Sequence, residues 1–597
     1  MNKQKVGFIA SFLIFTSLNA TEQFNSLDTI TVTAALNSKQ SIKDLTSNTD
    51  VITALELEEK NIKTVSEALN LLAGISWSSN GGFGKATSVY LRGFDSKMVL
   101  VLIDGVRVND PTSLNGASFE HLPISNIEQI EVIKGPQSGI WGSDASAGVI
   151  NIITKSPKDG FNSSANVEYG SFNTKDYKAN ISFKDKKFDF SISAHKFITD
   201  GITAFATKYS DISSYEDDGY ENKSVNLKLG YNINEFNKVS LIHTNIDTFG
   251  EYDSYNGDSF DTYKQKESFS KVTFENISDY ATSTVYANYS KFDRSYSDGF
   301  VFDGDILEYG LKSEVDYLSN GFFIVGTDYK TFEHKKELNK EFDNYGFFAT
   351  NSNRLFENLV ITESLRADFY DVFSDKVTGK AGIKYDFFDD IYISSNIGTA
   401  YNVPSLYKLY DVNFGNSKLS PENVKGFDLS VGFKNFKITR FDNQIKEMID
   451  YDFTISRFNN IEGTSKLRGY EFDYKNELFS NTLMSVGYTI LDAKNNKSEV
   501  LGRRPKESFK FGVDYYGISK LHVGTFGEYI GSRYDMVNKQ GGQSGKYTLM
   551  NAVLDYDVSS NLKLHGTINN IFDKYYQSVN NYASLPRAYY VGLRYQF

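Results

Sequence analysis

The 597-residue chain has no cysteine, only 8 prolines and 6 histidines, and past its first twenty residues no apolar run approaching the roughly 20 residues of a membrane helix. The absence of cysteine excludes disulfide staples, zinc–thiolate sites and cysteine nucleophiles. The histidines at 121, 195, 243, 334, 522 and 565 show no HxxxH spacing. That weighs against iron ligation by outer histidines, although tyrosine ligation stays open. Net positive charge is lacking too: the formal charge is -12 and the pI about 5.2, so nucleic acid is not an expected partner.

What is present begins with a leader. Lys3 and Lys5 form a basic start, Val6 to Leu18 is almost wholly apolar, and Asn19-Ala20 ends in a small residue, which predicts a secretory signal over residues 1–20 with cleavage after Ala20. Aromatic residues then make up 15% of the chain, 40 Tyr and 47 Phe, at a mean hydropathy of -0.39. A transmembrane β-barrel combines these values, because only alternate residues face lipid and aromatic girdles mark both interfaces.

The chain from about 158 to 597 repeats segments of period-two alternation between polar turns. Phe188, Phe190, Ile192 and Ala194 alternate with Asp189, Ser191, Ser193 and His195, and the chain closes on Val591, Leu593, Tyr595 and Phe597. One face is expected to meet outer-membrane lipid and the other the lumen. Spread over 22 antiparallel strands, this stretch gives about 20 residues per strand and connection; sixteen or eighteen strands fit the length as well.

Residues 41–157 read as a small α+β domain. Val65, Leu69 and Leu72 have helical spacing, with Thr64 as N-cap and Glu67 at the capping-box distance. "SVYLRGF", "MVLVLIDGVRV", "IEQIEVIKGP" and "GVINIIT" supply compact strands joined by glycine-rich turns. Between leader and domain, in residues 21–40, "DTITVTA" alternates like a strand, yet no second strand follows closely enough to predict a hairpin.

In order along the chain, "DTITVTA", "LRGF", "VLIDGVRVND", "IEQIEVIKGPQSGIWGSDASAGVINIITK", "YNVPSLYKLY", "NSKLSPENVKGFDLS" and "INNIFDKYY" resemble the motifs of TonB-dependent outer-membrane receptors. The resemblance implies active uptake across the outer membrane of a Gram-negative bacterium by a monomer, with the α+β domain as a plug inside the barrel and no covalent cofactor. It makes Asp28, Thr29, Ile30, Thr31, Val32, Thr33 and Ala34 the energy-coupling box, to which periplasmic TonB adds by strand augmentation. Arg92, Arg107, Glu128, Glu131 and Lys134 become candidates for charge pairs between plug and wall.

Within the family the resemblance is nearest to cobalamin (vitamin B12) receptors. It implies ligand contact by Asn80, Gly81, Gly82 and Phe83 in one plug loop and Asn115, Gly116 and Ser118 in another. It also implies calcium in the extracellular loops, held by Glu216, Asp217, Asp218, Asp253 and Asp261, with Thr203 standing where a further aspartate is expected. The rival ligand is a ferric catecholate siderophore or other metal chelate, for which a cationic pocket is expected. A barrel lipase or protease, suggested by His243 and Asp247 on one strand face, leaves the plug without a purpose, and a passive porin does so too; the expectation is that the protein is not an enzyme.

Overall fold

The computed structural model describes residues 31–33, 35, 37–254, 257–317, 321–388 and 390–597. Among the described residues, twenty-two strands from Gly160–Gly170 to Ala588–Gln596 pair antiparallel with their neighbours and close into a barrel. Closure is direct: the first strand pairs with the last, Val167 opposite Leu593. No edge is left to present unpaired backbone to lipid.

Alternation places side chains as expected. Along Phe188–Thr199, Asp189, Ser191, Ser193 and His195 are buried toward the lumen while Phe188 and Ile192 are exposed outward. The final strand likewise turns Val591, Leu593 and Tyr595 to the lipid face. Apolar side chains are therefore outside, as a hydrocarbon solvent requires.

The plug fills the lumen. Its sheet runs in the order Thr49–Thr53, Ile127–Lys134, Gly148–Thr154, Val99–Ile103, Val106–Arg107. Within this sheet only the pair between Gly148–Thr154 and Val99–Ile103 is parallel. Gly148 is required by space, since a Cβ there would lie 2.1 Å from the Ile133 carbonyl oxygen. The Thr64 cap is present, its hydroxyl accepting from the Glu67 amide at 3.2 Å. The Glu67 carboxylate accepts from the Lys63 amide, however, and the reciprocal capping box belongs to Thr53 and Glu56, at the head of the helix Ala54–Glu59.

A buried charge network fixes plug to wall. Arg92 makes a two-pronged contact with Glu471 at 2.8 and 2.9 Å and lies 4.9 Å above the Phe441 ring. Lys134 reaches Glu471 at 3.5 Å and Asp50 at 2.6 Å, and wall residue Lys437 meets Asp50 at 2.9 Å. Two of the expected pairs are instead internal to the plug. Arg107 binds Asp144 and the Ser143 carbonyl, and Glu131 binds Thr33 and Asn151, because both project within the sheet and not toward the wall. Glu128 is exposed.

A second junction crosses the closure of the barrel. The Asn61 amide donates to Glu168 on the first strand and to Thr567 on the next-to-last, each at 2.7 Å, and Arg594 on the last strand binds Glu58 at 2.8 Å.

Candidate functional site

The plug presents two loops to the outer mouth. The first is the tip of the hairpin Ile75–Ser79/Thr87–Leu91. Gly84, at φ +74°, sits against the Tyr220 ring where a Cβ would come within 2.1 Å, and its carbonyl accepts from the Tyr263 hydroxyl at 2.5 Å. Ala86 is exposed, but the rest of the tip is largely covered. Phe83 is buried edge-on against Phe197 at 5.0 Å and beside Tyr220, Gly81 lies under Ala204, and Gly82 under Ile202 and Leu585. Only Asn80 and Gly82 are half-buried. Of the four residues expected to touch ligand, Phe83 and Gly81 are thus covered, because the apolar residues of loop 200–219 and of loop 570–587 pack down on them.

The second loop is more open. Asn115 is exposed, Gly116 half-buried, and the Ser118 hydroxyl accepts from Gln265 at 2.9 Å. A short helix of the outer wall, Leu406–Tyr410, pins this loop: the Leu406 amide donates to the Pro111 carbonyl and Lys408 to the Leu114 carbonyl, both at 3.0 Å. Between the loops the wall carries a run of rings, Tyr252, Tyr263, Tyr296, Phe302 and Tyr407, with successive centroids 5.9 to 6.4 Å apart. The sequence reading did not single these out; their signal was the tyrosine and phenylalanine recurring at strand ends.

Acidic residues gather above the first loop. Ligand oxygens of Glu216, Asp253 and Asp258 lie within 4.8 Å of one another. Asp258 was not anticipated. Asp217 is exposed, and Asp261 is turned to the Ser259 and Ser297 hydroxyls at 2.9 and 3.0 Å, so neither joins the group. Asp218 is buried next to it, one oxygen accepting from the Ala204 amide at 2.5 Å and the other, Oδ1, without a partner. Thr203, buried, donates to the Phe205 carbonyl at 2.7 Å and approaches Asp253 at 3.3 Å.

Burial, reinforced by Asp253 and only partly offset by the Ala204 amide and Lys85, pushes the Asp218 carboxyl up to about 8. Partial burial and the carboxylates of Asp258, Asp253 and Glu251 raise Glu216 as well. The donor set is all oxygen, it is crowded with negative charge, and Glu216 Oε1 and Asp218 Oδ1 are buried without partners. These residues fit a hard divalent cation such as calcium.

At the periplasmic end, Thr31–Val32 pairs with Gln40–Ser41, so a short two-residue ladder exists where no hairpin was expected. Val32 and Ala35 are fully buried among Leu100, Leu102, Ile133 and Val149. The Thr33 amide donates to Glu131 at 2.9 Å, and Gln129 donates to the Thr31 carbonyl at 2.8 Å. The end of the alternating segment is thus docked on the plug. Asp28, Thr29, Ile30 and Ala34, like the leader, lie outside the described residues.

Comparison with known families agrees with this arrangement. The family of TonB dependent receptor-like β-barrels matches residues 157–571, and the TonB-dependent receptor plug domain matches residues 41–149. The chain belongs to the TonB-dependent receptors. The receptor is 27% identical to the vitamin B12 transporter BtuB of Vibrio cholerae serotype O1, over 99% of this chain and 98% of that one. It is also 27% identical to BtuB of Photobacterium profundum, over 96% of each. In fold it is similar to the ferric enterobactin receptor PfeA of Pseudomonas aeruginosa, at TM-score 0.80 and 17% identity, covering 92% of this chain and 99% of that one. The siderophore receptor PirA of Acinetobacter baumannii gives 0.80 and 16%, covering 92% and 98%. As a member of this family, the receptor is an outer-membrane transporter.

Proposed function

We propose that this receptor imports cobalamin or a related corrinoid across the outer membrane, with calcium ordering its outer loops and TonB supplying the energy. The observation that carries the ligand is the likeness to vitamin B12 transporters along the whole chain, plug and barrel together. The mouth agrees with it in chemistry. Aromatic faces, amides and acidic loops suit a large, nearly neutral, amide-fringed ligand better than an anionic iron complex.

A cavity of about 140 Å³ separates plug from wall, running from Gly81–Gly84 down to Lys60 and Asn61. On this reading the ligand is met first by the outer loops, above the plug.

Equilibrium binding of cyanocobalamin to the detergent-purified receptor tests the reading, with calcium, with EGTA, and beside a ferric catecholate. Tight cobalamin binding that weakens at least tenfold in EGTA is expected. Binding of the catecholate with none of cobalamin would transfer the receptor to siderophores.

For energy coupling, Ile30→Pro is expected to abolish uptake while leaving ligand binding within about twofold, since proline removes a ladder donor and fixes φ. Radiolabelled uptake in cells, set beside binding to their isolated membranes, separates the two. Loss of binding in this variant would remove the box from its assigned role.

A further inference from the structure

Lys85 follows the covered hairpin tip and is itself only 2% exposed. Its ammonium donates to the carbonyl of Phe83 at 3.2 Å, within the plug, and to those of Asp218 at 3.1 Å and Gly219 at 3.5 Å, in the outer loop. One cation therefore ties the plug tip to the back of the acidic loop. Asp218, Glu251 and Asp253 face it, and Glu251 is held in place by the Gly219 amide at 2.7 Å. Beside this set, Glu216 on the same loop joins Asp253 and Asp258 of the next hairpin, so Asp253 belongs both to the groups around Lys85 and to the acidic cluster. The buried Oδ1 of Asp218, in a residue 1% exposed, has no partner.

Two positive charges that draw on the same carboxylate, here Asp253, compete. We propose that Lys85 is the resident counter-charge of the acidic outer cluster, and that a divalent cation entering the cluster repels its ammonium, loosens the tie to Asp218 and Gly219, and frees Asn80–Gly84 for ligand. This rests on the calcium reading above and assigns Lys85 as a positioning residue that carries the state of the outer loops to the plug. The coupling is reciprocal: whatever weakens the Lys85 charge must strengthen cation binding, by the same factor that the cation weakens the tie.

Calorimetric titration of calcium into the detergent-purified full-length receptor, as wild type, Lys85→Met and Lys85→Arg, tests this directly. Lys85→Met is expected to lower the calcium Kd by about tenfold or more, and Lys85→Arg to leave it within about twofold. Hydrogen exchange adds a second readout. Calcium should speed exchange across Asn80–Gly84 in the wild type, whereas in Lys85→Met exchange should be fast with and without calcium. Equal Kd values for wild type and Lys85→Met would overturn this inference alone, and tightening by Lys85→Arg too would assign the effect to packing and overturn it likewise. Absence of calcium binding in every variant would overturn the calcium reading and this inference together.

Discussion

Replacing Glu471 by alanine is expected to weaken the seating of the plug by about 3 kcal/mol, because it removes the carboxylate that two buried cations share and leaves Arg92 only Asp428, 3.6 Å away. Arg92 would lose both of its short bonds and Lys134 one of its two anions. The barrel ladder is untouched, so the defect should appear as plug release and not as loss of fold. Ion conductance in planar bilayers should rise from near zero to frequent openings, and the urea concentration that exposes plug residues to protease should fall. Converting both partners, Arg92→Met with Glu471→Met, should recover part of the loss, since a buried pair replaced by apolar groups leaves fewer stranded charges. A Glu471→Ala receptor as tight and protease-resistant as wild type would show that hydrogen bonds elsewhere hold the plug.

Glu216→Asn, Asp253→Asn and Asp258→Asn together are expected to weaken calcium binding by more than about a hundredfold, as charge count sets affinity at such oxygen sites. The pH dependence has a definite sign. Asp218, pushed up to about 8 by burial, carries its proton at pH 6.5 and loses it by pH 9. Calcium favours the carboxylate, so affinity should climb as pH rises through 8, and binding below pH 8 should release a proton. Calorimetry in buffers of different ionisation enthalpy measures that proton. An affinity indifferent to the triple change would place any calcium elsewhere.

The barrel was legible in the sequence because each strand has one lipid face and one lumen face, and that constraint writes itself as alternation through every segment, Phe188–Thr199 being typical. The plug strands were legible as apolar runs. Side-chain partners were not. Arg107 and Arg92 look alike in sequence, each at the end of an apolar strand, yet one turns inward to Asp144 and the other to the wall. Which acidic residues gather was equally hidden: Asp258 and Asp261 are three residues apart on one strand, Gly257–Ile277, yet the first joins Glu216 while the second binds hydroxyls. The docking of Thr31–Thr33 on the plug escaped notice because its ladder is only two residues long and its partner Glu131 is 98 residues from Thr33.

The junction at Asn61 and Glu58 has a consequence for how the molecule is made. The strand synthesised first must meet the strand synthesised last, Glu168 facing Gly592, and the plug holds residues on both sides of that joint. The Glu58 half of the clasp, made through Arg594, is complete only when the carboxy-terminal strand is in place. Sealing of the ring and this last fastening of its stopper thus meet at one seam, where the first strand pairs with the last.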